Sequence, residues 1–294
     1  MNAQPIIDDY TDSLLGKSSA TIAKYRSVAT HFLASLPTDL PLEGITPQHV
    51  RGWVRGMQDD PQVGDSTIRL SIASLRSFLN WLAGTDTITR EIPDSLPRRW
   101  KCPRPQAVIA TDEEVAKLAA ATADKPDRRH VRLAVLLAAH AGLRRAEIAS
   151  LKWADVEFFS DPPTISVVGK GNKRRTLPIF TQALYDALRD WKDVQEAKCD
   201  DSAFVFPRRT GEEIPISANT VGLWFGIACH MAGIRHLGPH ALRHAFAHGS
   251  HRRGVSVAHV SAALGHSALQ TTAKYLTDMD GVQDLGDAFA GRVG

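Results

Sequence analysis

The chain has 294 residues, enough for about two domains that each bury a core, which excludes a peptide hormone or a disulfide miniprotein. With 43% hydrophobic and 23% charged residues, it has the composition of an ordinary globular protein and not of a disordered or fibrous one. The net charge of +3 is unevenly spread: residues 1–96 hold eight basic and eleven acidic side chains and residues 97–294 hold 27 and 21, so the positive field belongs to the C-terminal two thirds.

Helical spacing begins at once. A first helix is expected near residues 6–15, and a second over residues 21–36, where Ile22, Tyr25, Ala29, Phe32, Leu33 and Leu36 recur on one face. Thr46 followed by Pro47 is an N-cap with proline at the first helical position, and Asp65-Ser66 opens a helix with Ile68, Ile72, Leu75, Leu79 and Leu82 on one stripe. Arg69 and Arg76 lie seven residues apart on another stripe, candidates for DNA contact with a solvated face as the alternative. Residues 1–92 thus read as a small helical bundle. Residues 93–110 carry four prolines up to Pro105 and no periodicity, an extended linker whose Arg98, Arg99 and Lys101 are further candidates for phosphate contact.

A second domain, residues 111–294, opens on the capping box Thr111-Asp-Glu-Glu114. An apolar helix over residues 127–141 stops at Gly142. Strands are expected at residues 156–159, 164–168 and 175–179, the last two flanking the basic hairpin tip GKGNKR with Lys170, Lys173 and Arg174. Helices follow over residues 182–198, 218–232, 240–252, 257–264 and 268–276. The fold class is mainly α, a helical bundle followed by an α+β domain with a small antiparallel sheet.

Three cysteines, Cys102, Cys199 and Cys229, are odd in number and widely spaced, which indicates neither a disulfide framework nor a zinc finger and fits a reducing cytoplasm. The N-terminal stretch is acidic, and nowhere do roughly 18 apolar residues follow one another, so neither a secretion signal nor a membrane span is expected. The hairpin tip lacks the G-x-x-x-x-G-K-[ST] pattern of a phosphate loop. Eight of the twelve histidines fall between His230 and His266, and His240, His244 and His248 have the i, i+4 spacing of zinc helices. No glutamate follows His240, and Arg243 stands inside the ligand turn, where a guanidinium would repel the ion, so no metal is assigned.

Four segments combine into one chemistry. Gly142-Leu-Arg-Arg-Ala-Glu147, the hairpin with Lys170, His240-Ala-Leu-Arg243 and Leu264-Gly-His-Ser267 with Tyr275 nine residues past His266 bring together arginines, a lysine, histidines and a tyrosine. Paired guanidiniums suit the charge that builds on a phosphodiester in its transition state, a tyrosine of pKa about 10 needs a base or a positive pocket to attack, and a leaving alkoxide needs an acid.

This set resembles the R…K…H-x-x-R…H…Y pattern of the tyrosine recombinases of the phage integrase family, Xer-like in layout. The resemblance covers nearly the whole chain. It implies a SAM-like core-binding bundle, a clamp closing on opposite faces of DNA, and Arg144, Lys170, His240, Arg243, His266 and Tyr275 as the catalytic set, with Glu147 as the acid that follows the first arginine. It further implies strand exchange through a 3′-phosphotyrosine and a Holliday junction, without metal or ATP. The partners would be double-stranded DNA with inverted-repeat sites and a homo-tetramer, or a hetero-tetramer with a related recombinase, docked through the segment holding Leu285 and Phe289. The place of action would be the cytoplasm, at the nucleoid. One departure stands out: Ser250 and His251 occupy positions that are apolar in Xer-like sequences. A type IB topoisomerase would share the nucleophile and arginines, and a non-enzymatic DNA-binding regulator would share the fold.

Overall fold

Capping side chains set where the first helices begin. The first helix, α1, spans Gln4–Asp12, and Ser18, accepting a hydrogen bond from the Thr21 amide, opens α2 (Ser19–Ala34), each starting two residues before the expected position. At α3 (Pro47–Asp59), the His49 ring stands where a capping box has Glu or Gln, its Nδ1 accepting the Thr46 amide at 3.2 Å. The structure is a computed structural model and describes residues 4–101, 108–123, 125–169, 173–198 and 200–265. Lys170, His266, Tyr275, the expected helix at 268–276, the segment of Leu285 and Phe289, Cys102 and Cys199 lie outside the described residues.

The chain divides between Pro105 and Gln106 into two units, each with its own hydrophobic core. In the first, α4 (Asp65–Gly84) runs through the middle and buries Ile68, Ile72, Leu75, Leu79 and Leu82, the stripe read from the sequence, together with Phe78. Tyr10 of α1 meets Phe78 edge to face at 5.0 Å and Phe32 of α2 meets Trp53 of α3 at 5.9 Å, aromatic pairs that fix how the helices pack.

The start of the segment expected as an extended linker is folded onto this unit. A short helix, α5 (Glu91–Asp94), runs into it, Ile92 and Leu96 are buried, and Trp100 donates to Asp65 at 3.1 Å. Arg76 is the reason. Its guanidinium donates to the carbonyls of Pro93 (3.3 Å), Leu96 (3.3 Å) and Pro97 (2.9 Å), giving partners to backbone that has few regular ones.

In the second unit the expected capping box forms at α6 (Asp112–Ala123): Thr111 Oγ1 accepts the Glu114 amide at 3.1 Å and the Glu114 carboxylate accepts the Thr111 amide at 2.9 Å. The next helix, α7 (Arg129–His140), buries Val131 and every residue from Leu133 to Ala138, so apolar side chains surround it and it takes the centre. Around it pack α6, α9 (Gln182–Ala197), α10 (Ala218–Met231) and α11 (Pro239–Arg252). Between α7 and α9 lie a five-residue helix, α8 (Arg145–Ala149), which sequence periodicity is too short to reveal, and an antiparallel sheet in the order β1 (Val156–Glu157), β2 (Thr164–Val168), β3 (Arg174–Pro178). Ile165 pairs with Leu177 and Val167 with Arg175, so Arg175 shares the inward face with the buried Leu177. The last described helix is α12 (Val257–Leu264). Among the described residues no helix is long and apolar enough to cross a membrane.

Candidate active site

The site starts where α7 stops. Gly142 has φ +62°, the Leu143 amide turns back to the Leu137 carbonyl at 3.2 Å, and a Cβ at 142 would lie 2.6 Å from the Phe246 ring of α11. Both the left-handed backbone and the close approach require glycine. Leu143 is then buried, and Arg144 leaves the turn in extended conformation at the head of α8.

Glu147, its side chain 4% exposed, is the centre of the arrangement. Oε1 accepts from Nη1 of Arg144 and Nη1 of Arg175, and Oε2 accepts from Nη2 of Arg175 and the Arg144 amide, all at 2.8 Å. Arg243 Nη1 stands 3.9 Å from Oε2. Burial alone would raise the Glu147 pKa, but the bonds from Arg175 and Arg144 outweigh it and hold the carboxyl at about 2. One carboxylate among three guanidiniums leaves the site positive.

The same arginines finish α12. Its last carbonyls have no partner within the helix, and three in succession each take one arginine: Ala263 from Arg175 Nε at 2.7 Å, Leu264 from Arg243 Nη2, and Gly265 from Arg144 Nη2 at 3.2 Å. Arg243 also donates to the Gly142 carbonyl, tying α11 to the turn before Arg144. Gly265 has φ +63°, and a Cβ there would come within 3.1 Å of Arg175.

His240 sits behind Pro239 on the first turn of α11. Its ring is exposed, yet partial loss of its water shell, and then the positive charges of Arg243, Arg145 and Arg144, push its pKa below 6.5. The shift favours the neutral ring, the form able to accept a proton. His244, one turn on, is pushed to about 4 by burial, then by His240 and Arg243. Two neighbours of undescribed residues touch the cluster. A Cβ on Gly169, next to Lys170, would lie 3.5 Å from Glu147 Oε1 and 3.6 Å from Arg144 Nη1, and Gly265, next to His266, gives its carbonyl to Arg144.

Residues 109–281 match the model of the phage integrase family, and residues 7–85 that of the phage integrase N-terminal SAM-like domain. The chain belongs to the phage integrase family, the tyrosine recombinases. It is 32% identical over 279 residues to tyrosine recombinase XerC of Corynebacterium efficiens, covering 92% of this chain and 85% of the relative. A tyrosine recombinase of Thermosipho africanus is 29% identical over 280 residues, covering 92% and 93%. Among solved structures, a lambda integrase dimer bound to a COC′ core site shares the fold with a TM-score of 0.73 at 22% identity, covering 95% of this chain and 96% of that one. The XerA recombinase matches with a TM-score of 0.53 at 21% identity, covering 96% and 98%.

Within this family fold two described members of the expected catalytic set, Arg144 and Arg243, meet around Glu147 and the end of α12, and the third, His240, stands three residues before Arg243 on α11, within reach of their positive charge. The residues singled out for DNA contact lie elsewhere. Arg69, Arg98, Arg99 and Lys101 are exposed in the first unit, and Arg76 is turned into its own unit's backbone. Lys173 is exposed at the hairpin, and Arg174 bonds Asp155 at 3.0 Å with 62% of its side chain exposed. Sequence reasoning missed Arg175, read only as the first residue of a strand. Its signal was the alternation Arg175, Leu177, Ile179, which puts a basic side chain on the inward face of β3. At the polar departure the His251 ring lies 3.3 Å from the Val255 carbonyl, while the Val255 amide bonds the backbone carbonyl of residue 250, a contact that does not depend on the serine side chain.

Proposed function

We propose that the chain is a site-specific recombinase that cuts and rejoins double-stranded DNA through a 3′-phosphotyrosine. The observation that supports this most is the convergence of Arg144 and Arg243 on Glu147, with His240 three residues before Arg243, at one positive site whose borders lead directly into Lys170 and His266. The Tyr275 oxygen attacks the scissile phosphorus, its proton passing to His240, and the bond from phosphorus to the 5′ oxygen breaks as Lys170 delivers a proton to that oxygen. Arg144, Arg243 and His266 hold the non-bridging oxygens as charge builds on them. Attack by a 5′-hydroxyl from a partner strand reverses the steps and releases the tyrosine. The phosphodiester energy is kept in the tyrosine link, so rejoining needs no nucleotide cofactor.

The partners in this reading are DNA with inverted-repeat sites and further recombinase subunits. A lambda integrase tetramer bound to a Holliday junction has this fold with a TM-score of 0.70 at 22% identity, which makes such an assembly compatible with the fold. Arg69, Arg98, Arg99, Lys101, Lys173 and Arg174 are proposed to meet the phosphate backbone, and residues 93–110 to connect the two domains. The test separates recombination from relaxation: a plasmid bearing two copies of a captured target site is incubated with the protein. Joined or excised products support the proposal. Relaxed plasmid with no joining between sites would assign topoisomerase chemistry instead.

A further inference from the structure

Arg175 turns all three of its guanidinium nitrogens into the protein. Nη1 and Nη2 clamp the two oxygens of Glu147 at 2.8 Å each, and Nε bonds the Ala263 carbonyl at 2.7 Å, with 10% of the side chain exposed. It stands on β3, five residues past Lys170, so one planar guanidinium joins three elements that each lead to a catalytic position. The hairpin leads to Lys170, the head of α8 holds Arg144, and the end of α12 leads to His266.

Glu147 transmits the connection to Arg144. Its carboxylate takes both the Arg144 amide and Nη1 at 2.8 Å. Without Arg175 the carboxylate would keep only its two bonds to Arg144, the amide on Oε2 and Nη1 on Oε1, and would lose its anchor to β3 and to the end of α12. Arg144 keeps 26% of its side chain exposed, against 6% for Arg243, so Arg144 is the arginine that presents most of its surface outward. Two glycines confirm how closely Arg175 is enclosed: a Cβ on Gly169 would come within 3.3 Å, and one on Gly265 within 3.1 Å, of its Nη1.

We propose that Arg175 is a positioning residue of the cleavage reaction, fixing the Glu147 carboxylate and through it the aim of the Arg144 guanidinium at the scissile phosphate. The inference rests on the proposed function, in which Arg144 holds a phosphate oxygen. A lysine is no substitute, because a single ammonium cannot clamp both carboxylate oxygens and reach the Ala263 carbonyl together.

The test uses the full chain and a nicked DNA substrate on which cleavage is irreversible, made with either an ordinary scissile phosphate or a neutral methylphosphonate. Replacing a charged oxygen with methyl removes the charge that Arg144 is there to stabilise. On phosphate, Arg144→Ala loses about a hundredfold in cleavage rate and Arg175→Met or Arg175→Lys at least about tenfold. On methylphosphonate all three return to within a few fold of the wild type on that substrate. Leu133→Ala, a buried change in α7 one turn further from the Gly142 stop, lowers stability and gains nothing from the methylphosphonate. Arg175→Met combined with Glu147→Gln removes the buried carboxylate left behind and supplies a folded variant for the same comparison. Rescue of Arg144→Ala without rescue of any Arg175 variant would overturn the inference, as would Arg175→Met cleaving phosphate at the wild-type rate. Absence of any covalent adduct with the wild-type chain would instead overturn the proposed function itself.

Discussion

Removing the Glu147 carboxylate would leave Arg175 buried without the two oxygens it clamps. Breaking one side of a buried pair costs about 3–5 kcal/mol, so Glu147→Ala should lower the unfolding free energy of the catalytic unit by about that much in urea. The carboxyl is held at about 2 against an ordinary 4.5, so its contribution is fully present above pH 4.5 and is lost as pH falls toward 2. In Glu147→Gln the loss of stability across that window should be visibly smaller. An unchanged slope between pH 4.5 and 2 would mean that the carboxylate is not paired in solution. His244 adds a separate decline at higher pH: held at about 4, it stays neutral in the fold and costs stability as pH drops below 6.5. At this scale the sequence exposed what carries a motif. Arg144 follows a glycine stop and His240 and Arg243 share one turn, spacings that chemistry constrains. Arg175 carries no such spacing, and among the neighbouring Lys173 and Arg174 it looks like one more solvated cation. Only the pairing of β3 with β2 separates them, sending Arg174 outward to Asp155 and Arg175 inward to Glu147.

Arg76 shows how an element can change the meaning of a residue. Seven positions from Arg69 on α4, it reads from periodicity as a surface cation, yet the chain returns past it and offers three carbonyls at Pro93, Leu96 and Pro97. That return is invisible to periodicity because α5 has four residues and the rest has no repeat. Arg76→Ala should therefore loosen residues 95–101: amide exchange there should rise by about tenfold or more while α2 and the core of α4 keep their protection. Unchanged exchange in that segment would show that the three hydrogen bonds do not hold it. The long helices were legible because their apolar stripes and caps repeat the same message; α2, α6, α9, α10 and α12 begin within two residues of the expected positions. Pairing for β1 stops after Glu157, two residues before the expected end, because the register leaves no partner on β2 beyond Thr164.

For the whole molecule, the opening charge of +3 resolves into an acid-leaning helical unit and a catalytic unit whose positive charge gathers where α8, β3, α11 and the end of α12 meet. Two family models, over residues 7–85 and 109–281, agree with two cores that share no buried residue. The account stands on Tyr275 as the nucleophile of that positive site. A nicked DNA library in which cleavage cannot be reversed, followed by denaturing electrophoresis and peptide mapping of the attached protein, measures this directly. The account predicts a covalent adduct at Tyr275 that disappears in Tyr275→Phe, while DNA binding stays within a few fold of the wild type. Adducts persisting in Tyr275→Phe, or mapping to another residue, would contradict it.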